Sequence, residues 1–261
     1  MIGRPDIEAA YERISPYIRR TPVMHMDADA LGLGYPVTFK MEHLQATGSF
    51  KLRGAFNNLL TRELSQAGVV ATSGGNHGAG VAYAATALGI PSTIYVPAAI
   101  AAEVKLRRMR GFGAEVVAVP DPVSDAYVVC EAHAARTGAL EIHPFDSDAT
   151  LAGQGTVALE LSAQAEIDTL LVSVGGGGLI GGAEVARRSC RRLRRRHLRS
   201  AAAAVGCQPD CGRAQRGHRA RGPDLGRLCP GKGRAGCRPS VWSQRRTRLV
   251  HERGLRLRLR R

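Results

Sequence analysis

The stretch Val69-Val70-Ala71-Thr72-Ser73-Gly74-Gly75-Asn76-His77-Gly78 changes character at Ser73, where an apolar run gives way to small and polar residues. The first four residues predict a short buried strand. Asn76 can cap a helix that continues to about Leu88, where Gly89 ends it. The stretch therefore predicts a strand, a loop and a helix, the repeating unit of parallel α/β folds.

The same alternation extends in both directions along the chain. Upstream, the pattern predicts a helix over 5–14, a strand over 37–42 and a helix that starts near Lys51 with Ser49 available as its N-cap. Downstream, it predicts strands over 93–96, 115–119, 140–143 and 170–174, and helices over 101–109, 124–136 and 151–163. We therefore expect parallel α/β layers, in which ligands bind at the carboxyl ends of the strands.

Lys51 stands at the head of an apolar, helix-periodic segment, where an ammonium group is unfavourable because the helix dipole favours negative charge. Two interpretations are open. The side chain can pack its stem and extend its charge to water. Alternatively, the amine loses its proton and acts as a nucleophile or Schiff-base former, as desolvated lysines do.

Two glycine-rich loops follow predicted strands, at Ser73–Gly78 and at 175–182. Small residues let backbone approach a ligand, and the following helix start attracts anions, phosphate above all. The second loop also fits the dinucleotide pattern, but the Arg-rich stretch 194–200 lacks the acidic residue that would hold a ribose. Each loop taken alone could also be only a tight turn or a capped helix start.

The charge divides the 261-residue chain into two kinds of sequence. Residues 1–182 carry 13 Lys and Arg against 18 Asp and Glu, whereas residues 183–261 carry 24 against 4. The basic segment could bind nucleic acid, but only Trp242 is available there for stacking, and that function is disfavoured. Its Cys207 and Cys211 do not complete a zinc site, and we expect no metal. Without a membrane-length apolar run or a signal-peptide core, the expected location is the cytoplasm.

Three motifs in the expected order resemble the serine/threonine dehydratase (threonine ammonia-lyase) group of fold-type II pyridoxal-phosphate enzymes. They are Ser49-Phe50-Lys51-Leu52-Arg53-Gly54-Ala55, Ser73 to Gly78, and Gly175 to Gly178. Further support comes from Arg20-Thr21-Pro22, 40–45, His143-Pro144-Phe145 and 152–156. The resemblance covers residues 5–182 and implies a tryptophan synthase beta-like α/β fold of two parallel domains.

The resemblance also implies the cofactor, pyridoxal 5'-phosphate, and a role for each motif residue. Lys51 would be the catalytic Schiff-base lysine, and Asn76 would bind the pyridine ring oxygen. The backbone of Gly175, Gly176, Gly177 and Gly178 would hold the phosphate. Ser73, Asn76 and His77 would receive the carboxylate of a small amino-acid substrate. The implied reaction converts L-threonine or L-serine to a 2-oxo acid and ammonia, in a homodimer or homotetramer.

Serine racemase belongs to the same group and is the alternative function. By resemblance, its second proton donor is a serine directly before Gly-Asn-His, and this chain has Gly74 there. Phe145 stands where the racemase pattern has an asparagine. Both differences favour dehydration over racemisation.

The resemblance assigns 1–67 and 147–182 to a large cofactor domain and 68–146 to a small α/β domain. Residues 183–261 depart from the family pattern, which should continue with more strand–helix units and a serine or cysteine facing the pyridine nitrogen. Their Arg, Ala, Gly, Pro and Cys content is typical of a GC-rich gene read in the wrong frame. We therefore expect a frameshift near 183–190, an incomplete large domain, and a chain that binds cofactor poorly and aggregates. An inactive, frameshifted remnant is the third interpretation.

Overall fold

The computed structural model describes residues 2–120, 123–188 and 197–200. Seven α-helices and eight strands lie within these ranges. The helices are α1 (Arg4–Ile14), α2 (Lys51–Leu60), α3 (Asn76–Ala87), α4 (Glu103–Gly111), α5 (Val123–Thr137), α6 (Asp148–Gln164) and α7 (Gly178–Arg188). The strands are β1 (Val23–Met26), β2 (Val37–Lys40), β3 (Val69–Thr72), β4 (Ser92–Pro97), β5 (Glu115–Val119), β6 (Leu140–Glu141), β7 (Thr169–Val172) and β8 (His197–Ser200).

A four-stranded parallel sheet in the order β5-β4-β3-β6 forms the centre of residues 68–142. All four residues of β3 are buried, because helices cover both faces of the sheet. Val69 and Ala71 pack into the larger core, whereas Val70 packs with Tyr95 and Cys130 on the opposite face. The α/β fold with a parallel sheet expected from the sequence is confirmed.

Helices α1, α6 and α7 pack around a separate core. Glycines permit close approach there: a Cβ on Gly153 would lie 2.7 Å from the Gly54 Cα of α2, and one on Gly182 would lie 2.6 Å from the Gly155 amide nitrogen. Gly153 and Gly155 belong to the 152–156 stretch, one of the stretches that carry the family resemblance. Its two glycines bring α6 against α2 on one side and α7 on the other.

Two small sheets lie outside the four-stranded one. Strands β1 and β2 form an antiparallel pair in which Met24 faces Phe39, and β7 pairs in parallel with β8. Leu171 of β7 is more than half exposed. A two-stranded parallel sheet with an uncovered apolar residue agrees with the incomplete large domain expected from the sequence.

The structure tests the remaining sequence predictions only where they fall on described residues. Helix α7 continues to Arg188 and buries Ala183 and Ala186, so helical packing extends beyond residue 182. Residues 189–196 and 201–261 lie outside the described residues, and the frameshift stays a prediction, as do the domain boundaries. No helix within the described ranges is both long and apolar enough to cross a bilayer.

Candidate active site

Lys51 is the first residue of α2, and its partly buried side chain contacts the segment that follows β6. Its Nζ donates a hydrogen bond of 2.7 Å to the Pro144 carbonyl oxygen and lies 5.4 Å from the centre of the Phe50 ring. Burial lowers the pKa of the Lys51 amine to about 8. The uncharged fraction of this amine is therefore about a tenth at pH 7 and about half at pH 8, far more than for an ordinary lysine.

The helix that carries Lys51 begins differently from the sequence prediction. Phe50, with helical φ −60° and ψ −16°, occupies the N-cap position, and no side chain caps the helix. The expected N-cap role of Ser49 is wrong, because the chain already has helical geometry one residue after it. Within the described part of the chain, the buried Ser49 Oγ has no hydrogen-bond partner. An unsatisfied hydroxyl therefore lies two residues before the amine.

The Ser73–Gly78 loop joins β3 to α3. Ser73 Oγ accepts a hydrogen bond of 3.2 Å from the Gly75 amide, and Gly75, rather than Asn76, is the N-cap. The Ala79 amide makes a first-turn bond to the Gly75 carbonyl oxygen at 3.1 Å. The amides of the three preceding residues come before that bond in the helix, where N–H groups lack intrahelical acceptors. The loop thus presents amide donors, with Asn76 exposed beside them.

His77 is buried, and its Nε2 lies 2.8 Å from the Ile142 carbonyl oxygen. Because a carbonyl oxygen only accepts, Nε2 carries the hydrogen in this bond. Burial, together with the nearby Lys51 charge, lowers the pKa of His77 to about 3. The imidazole is therefore neutral and anchors the segment after β6, so a ligand at this loop would meet the His77 amide rather than its ring.

The second glycine loop lies between β7 and α7. Gly177 has φ +92°, a left-handed conformation that favours glycine. A Cβ on Gly176 would overlap the Phe145 ring, whereas one on Gly175 or Gly177 would meet nothing within 4 Å. The loop therefore packs on Phe145 through one side and leaves open space on the other.

Residues 142–145 connect these parts. Ile142 accepts from His77, Pro144 accepts from Lys51, and Phe145 packs against Gly176 and Gly178. This segment brings the amine, the α3 loop and the second glycine loop to one place. Among the described contacts, none joins the Ser73 or Asn76 side chain to Lys51.

His143, within that segment, accepts a hydrogen bond of 2.8 Å from the Asp146 amide through Nδ1. Its ring packs edge-on against Phe145 with centroids 4.6 Å apart. Burial lowers the pKa of His143, and the Lys51 charge acts in the same direction. His143 thus fixes the turn that orients the Pro144 carbonyl oxygen and the Phe145 ring.

A buried ion network that no sequence motif indicates lies next to the site. Arg53 is 0% exposed and contacts Glu42 and Glu160 at 2.8 Å each, and Lys40 Nζ lies 2.6 Å from Glu160. Although burial alone would lower the pKa of Arg53, hydrogen bonds to both glutamates raise it. Burial lowers the pKa of Lys40, partly offset by Glu160. The network ties α2 to α6 two residues from Lys51.

Comparison with known proteins identifies the family. The pyridoxal-phosphate dependent enzyme family (PALP) matches residues 14–246, a range that includes part of the Arg-rich segment. The L-threonine ammonia-lyase of Geobacter sulfurreducens is 41% identical over 185 residues, which are 70% of this chain and 46% of that protein. The L-threonine ammonia-lyase of Thermotoga maritima is 40% identical over 192 residues, 72% of this chain and 48% of that protein. The chain spans about half the length of these curated relatives.

Solved structures give the same fold. Maize serine racemase superposes with a TM-score of 0.72 and 36% identity, over 76% of this chain and 60% of that one. A threonine deaminase from T.th. superposes with a TM-score of 0.71 and 38% identity, over 76% of this chain and 64% of that one. The fold-type II architecture inferred from the three motifs is confirmed, and the chain belongs to the pyridoxal-phosphate-dependent enzyme family.

Proposed function

We propose that this chain carries the cofactor-holding part of an enzyme that dehydrates and deaminates L-threonine, L-serine or both to a 2-oxo acid and ammonia. The observation that carries the proposal is the Lys51 amine, held on the Pro144 carbonyl oxygen with a pKa lowered to about 8. The two L-threonine ammonia-lyase relatives support the reaction class.

The residues present fit pyridoxal phosphate. The cofactor needs an amine for its aldehyde, donors for its phosphate, and room for both. Lys51 supplies the amine, and the start of α7 supplies amides for an anion. The open side of Gly175 and Gly177 leaves space for a phosphate beside the loop. When bound, the cofactor acts as an electron sink for bonds at the substrate Cα.

Lys51 would hold and move the proton of the reaction. At pH 8, roughly half of an amine with this pKa is uncharged and can accept a proton from the substrate Cα. The Pro144 carbonyl oxygen accepts a hydrogen bond from Nζ and so fixes its position. Partial burial limits the water that could compete for the same proton.

The Ser73–Gly78 loop would bind the substrate carboxylate. Amides at the start of α3 would donate to the carboxylate, and the helix dipole would add to their attraction. Ser73 would shape the loop through its bond to the Gly75 amide. The exposed Asn76 side chain would reach the pyridine ring oxygen, and the neutral His77 ring would keep the loop against Ile142.

Racemisation of serine is the second candidate, because maize serine racemase matches this fold as well as the threonine deaminase does. Gly74 argues against it, since a glycine cannot supply a proton from the second face of the substrate. An assay of the 261-residue chain with added pyridoxal phosphate separates the candidates.

The proposal predicts 2-oxo acid release from L-threonine or L-serine that disappears in Lys51→Ala. D-serine without 2-oxo acid would favour the racemase. If neither product forms although Lys51 still reacts with the cofactor, the result would favour the inactive remnant expected from the tail. The gene sequence tests that remnant directly, because another reading frame should restore strand and helix patterns after residue 183.

Homo-oligomerisation and a cytoplasmic location stay predictions. The cross-strand pair Met24 and Phe39 supports the first, because each side chain is about two-fifths exposed although both are apolar. Light scattering of the purified chain measures the oligomeric state, and a monomer at micromolar concentration would contradict it.

A further inference from the structure

Ile100 lies against the proposed carboxylate loop. It ends the 3-10 turn Ala98–Ile100, which directly follows β4 at the carboxyl edge of the sheet. Its apolar side chain is 42% exposed. A Cβ placed on the buried Gly74 would lie 2.6 Å from the Ile100 Cδ1 and 2.8 Å from its Cγ1. The isoleucine therefore occupies the space that any side chain at position 74 would need.

This contact cannot be relieved by moving the tip of the isoleucine alone. Cγ1 is bonded to the branched Cβ, so its displacement requires a change of χ1, which is stiff in β-branched residues. The backbone is also held, because the Ala102 amide donates to the Ile100 carbonyl oxygen at 2.9 Å. A residue larger than glycine at position 74 thus forces Ile100 away from its rotamer.

We propose that Ile100 is a specificity-determining residue that keeps position 74 free of a side chain. The inference rests on the proposed function, in which a side chain at position 74 would supply the second proton and a glycine supplies none. Racemisation needs one group to take the Cα proton and a second to return a proton on the other face. With Ile100 in place, position 74 presents only backbone atoms, and only Lys51 is left to exchange a proton with the substrate Cα.

A double-mutant cycle tests the contact without relying on activity. Unfolding by urea is measured for the parent chain, Gly74→Ala, Ile100→Ala and the double variant. We expect Gly74→Ala to lower the folding equilibrium constant about three- to tenfold in the parent, the cost of forcing a side chain off its rotamer. In the Ile100→Ala background the same change should have less than about half that effect on the free energy.

Gly75→Ala is the matched control, because a Cβ on Gly75 meets no atom within 4 Å. Its effect should be the same in the parent chain and in the Ile100→Ala background. Equal costs of Gly74→Ala in both backgrounds would overturn the proposal. The proposal would also be overturned if Ile100→Ala changed the free-energy cost of Gly75→Ala as much as it changes the cost of Gly74→Ala.

The reaction supplies a second readout. Gly74→Ser should form little D-serine from L-serine, and Gly74→Ser combined with Ile100→Ala should form at least about tenfold more, since the second face then gains a hydroxyl that can donate a proton. Equal D-serine from the two variants would overturn the role in specificity. Failure of the proposed function is distinguishable, since it would show as no Lys51-dependent 2-oxo acid in the parent while the unfolding cycle still reports the contact.

Discussion

Replacing Arg53 with methionine tests the buried ion network most severely. The Arg53 guanidinium makes five hydrogen bonds, two to Glu42, two to Glu160 and one to Thr156, at 2.8–3.2 Å. Because Lys40 also contacts Glu160, the four charged groups are balanced. Arg53→Met leaves two carboxylates facing a single ammonium in a buried site.

Removing one partner of a buried ion pair costs about 3–5 kcal/mol. With a urea dependence of about 1–3 kcal/mol per molar, the unfolding midpoint should fall by about 1–5 M. Circular dichroism of the chain in urea measures this shift. Arg53→Met combined with Glu42→Gln restores charge balance while it keeps the Lys40–Glu160 contact, and it should recover about half of the lost free energy.

Arg107→Met provides the control, since Arg107 lies 3.6 Å from Glu103 and both side chains are mostly exposed. Its cost should stay below about 1 kcal/mol. If Arg53→Met were no more costly than Arg107→Met, or if Glu42→Gln brought no recovery, the structural role of the network would be refuted.

Three further predictions concern the site. Gly176→Ala forces a Cβ into the Phe145 ring and should destabilise the chain by about 1–3 kcal/mol. Gly175→Ala places its Cβ in open space and should not destabilise the chain, and the urea midpoints of the two variants test the difference. Burial lowers the pKa of Lys51 from 10.5 to about 8, so folding stability should rise with pH between those values. Lys51→Met should reduce that rise, measured by unfolding from about pH 7 to 10, and should leave the smaller contribution of Lys40. Folding lowers the pKa of His77 from 6.5 to about 3, so folding stability should drop as the pH decreases between those two values. His77→Gln should make stability depend less steeply on pH in this range. An unchanged pH dependence would contradict the buried, neutral state of His77.

The local sequence pattern was sufficient to predict the repeating strand–helix units. The expected strand over 69–72 and the helix that Gly89 ends were confirmed, with Gly89 at φ +69°. Strand alternation and glycine stops depend on neighbouring residues, which the sequence displays directly. The parallel sheet followed from those units.

Boundaries were less accurate where tertiary contacts decide them. Helix α6 begins at Asp148, three residues before the predicted start, because Ser147 Oγ caps it by accepting from the Thr150 amide at 3.1 Å. Strand β6 ends at Glu141, two residues early. Beyond it, the carbonyl oxygens of Ile142 and Pro144 accept from the His77 and Lys51 side chains.

The ion network could not be predicted from local pattern. Arg53 and Glu160 are separated by 107 positions, and nothing in the spacing of either residue indicates the other. The motifs indicated Lys51 and both loops by resemblance, but not that the 142–145 segment would join them. The roles assigned to Ser73, Asn76, His77 and the four glycines 175–178 stay predictions.

The central claim is that Lys51 is the amine that bonds to pyridoxal phosphate. The chain contains three other lysines, Lys40, Lys105 and Lys232, which serve as internal controls. Incubation with the cofactor, reduction with borohydride and peptide mass spectrometry locates the bonded amine even when turnover is absent. The account predicts a reduced pyridoxyl group on Lys51 far in excess of the others; equal labelling of Lys105, or an unlabelled Lys51, would contradict it.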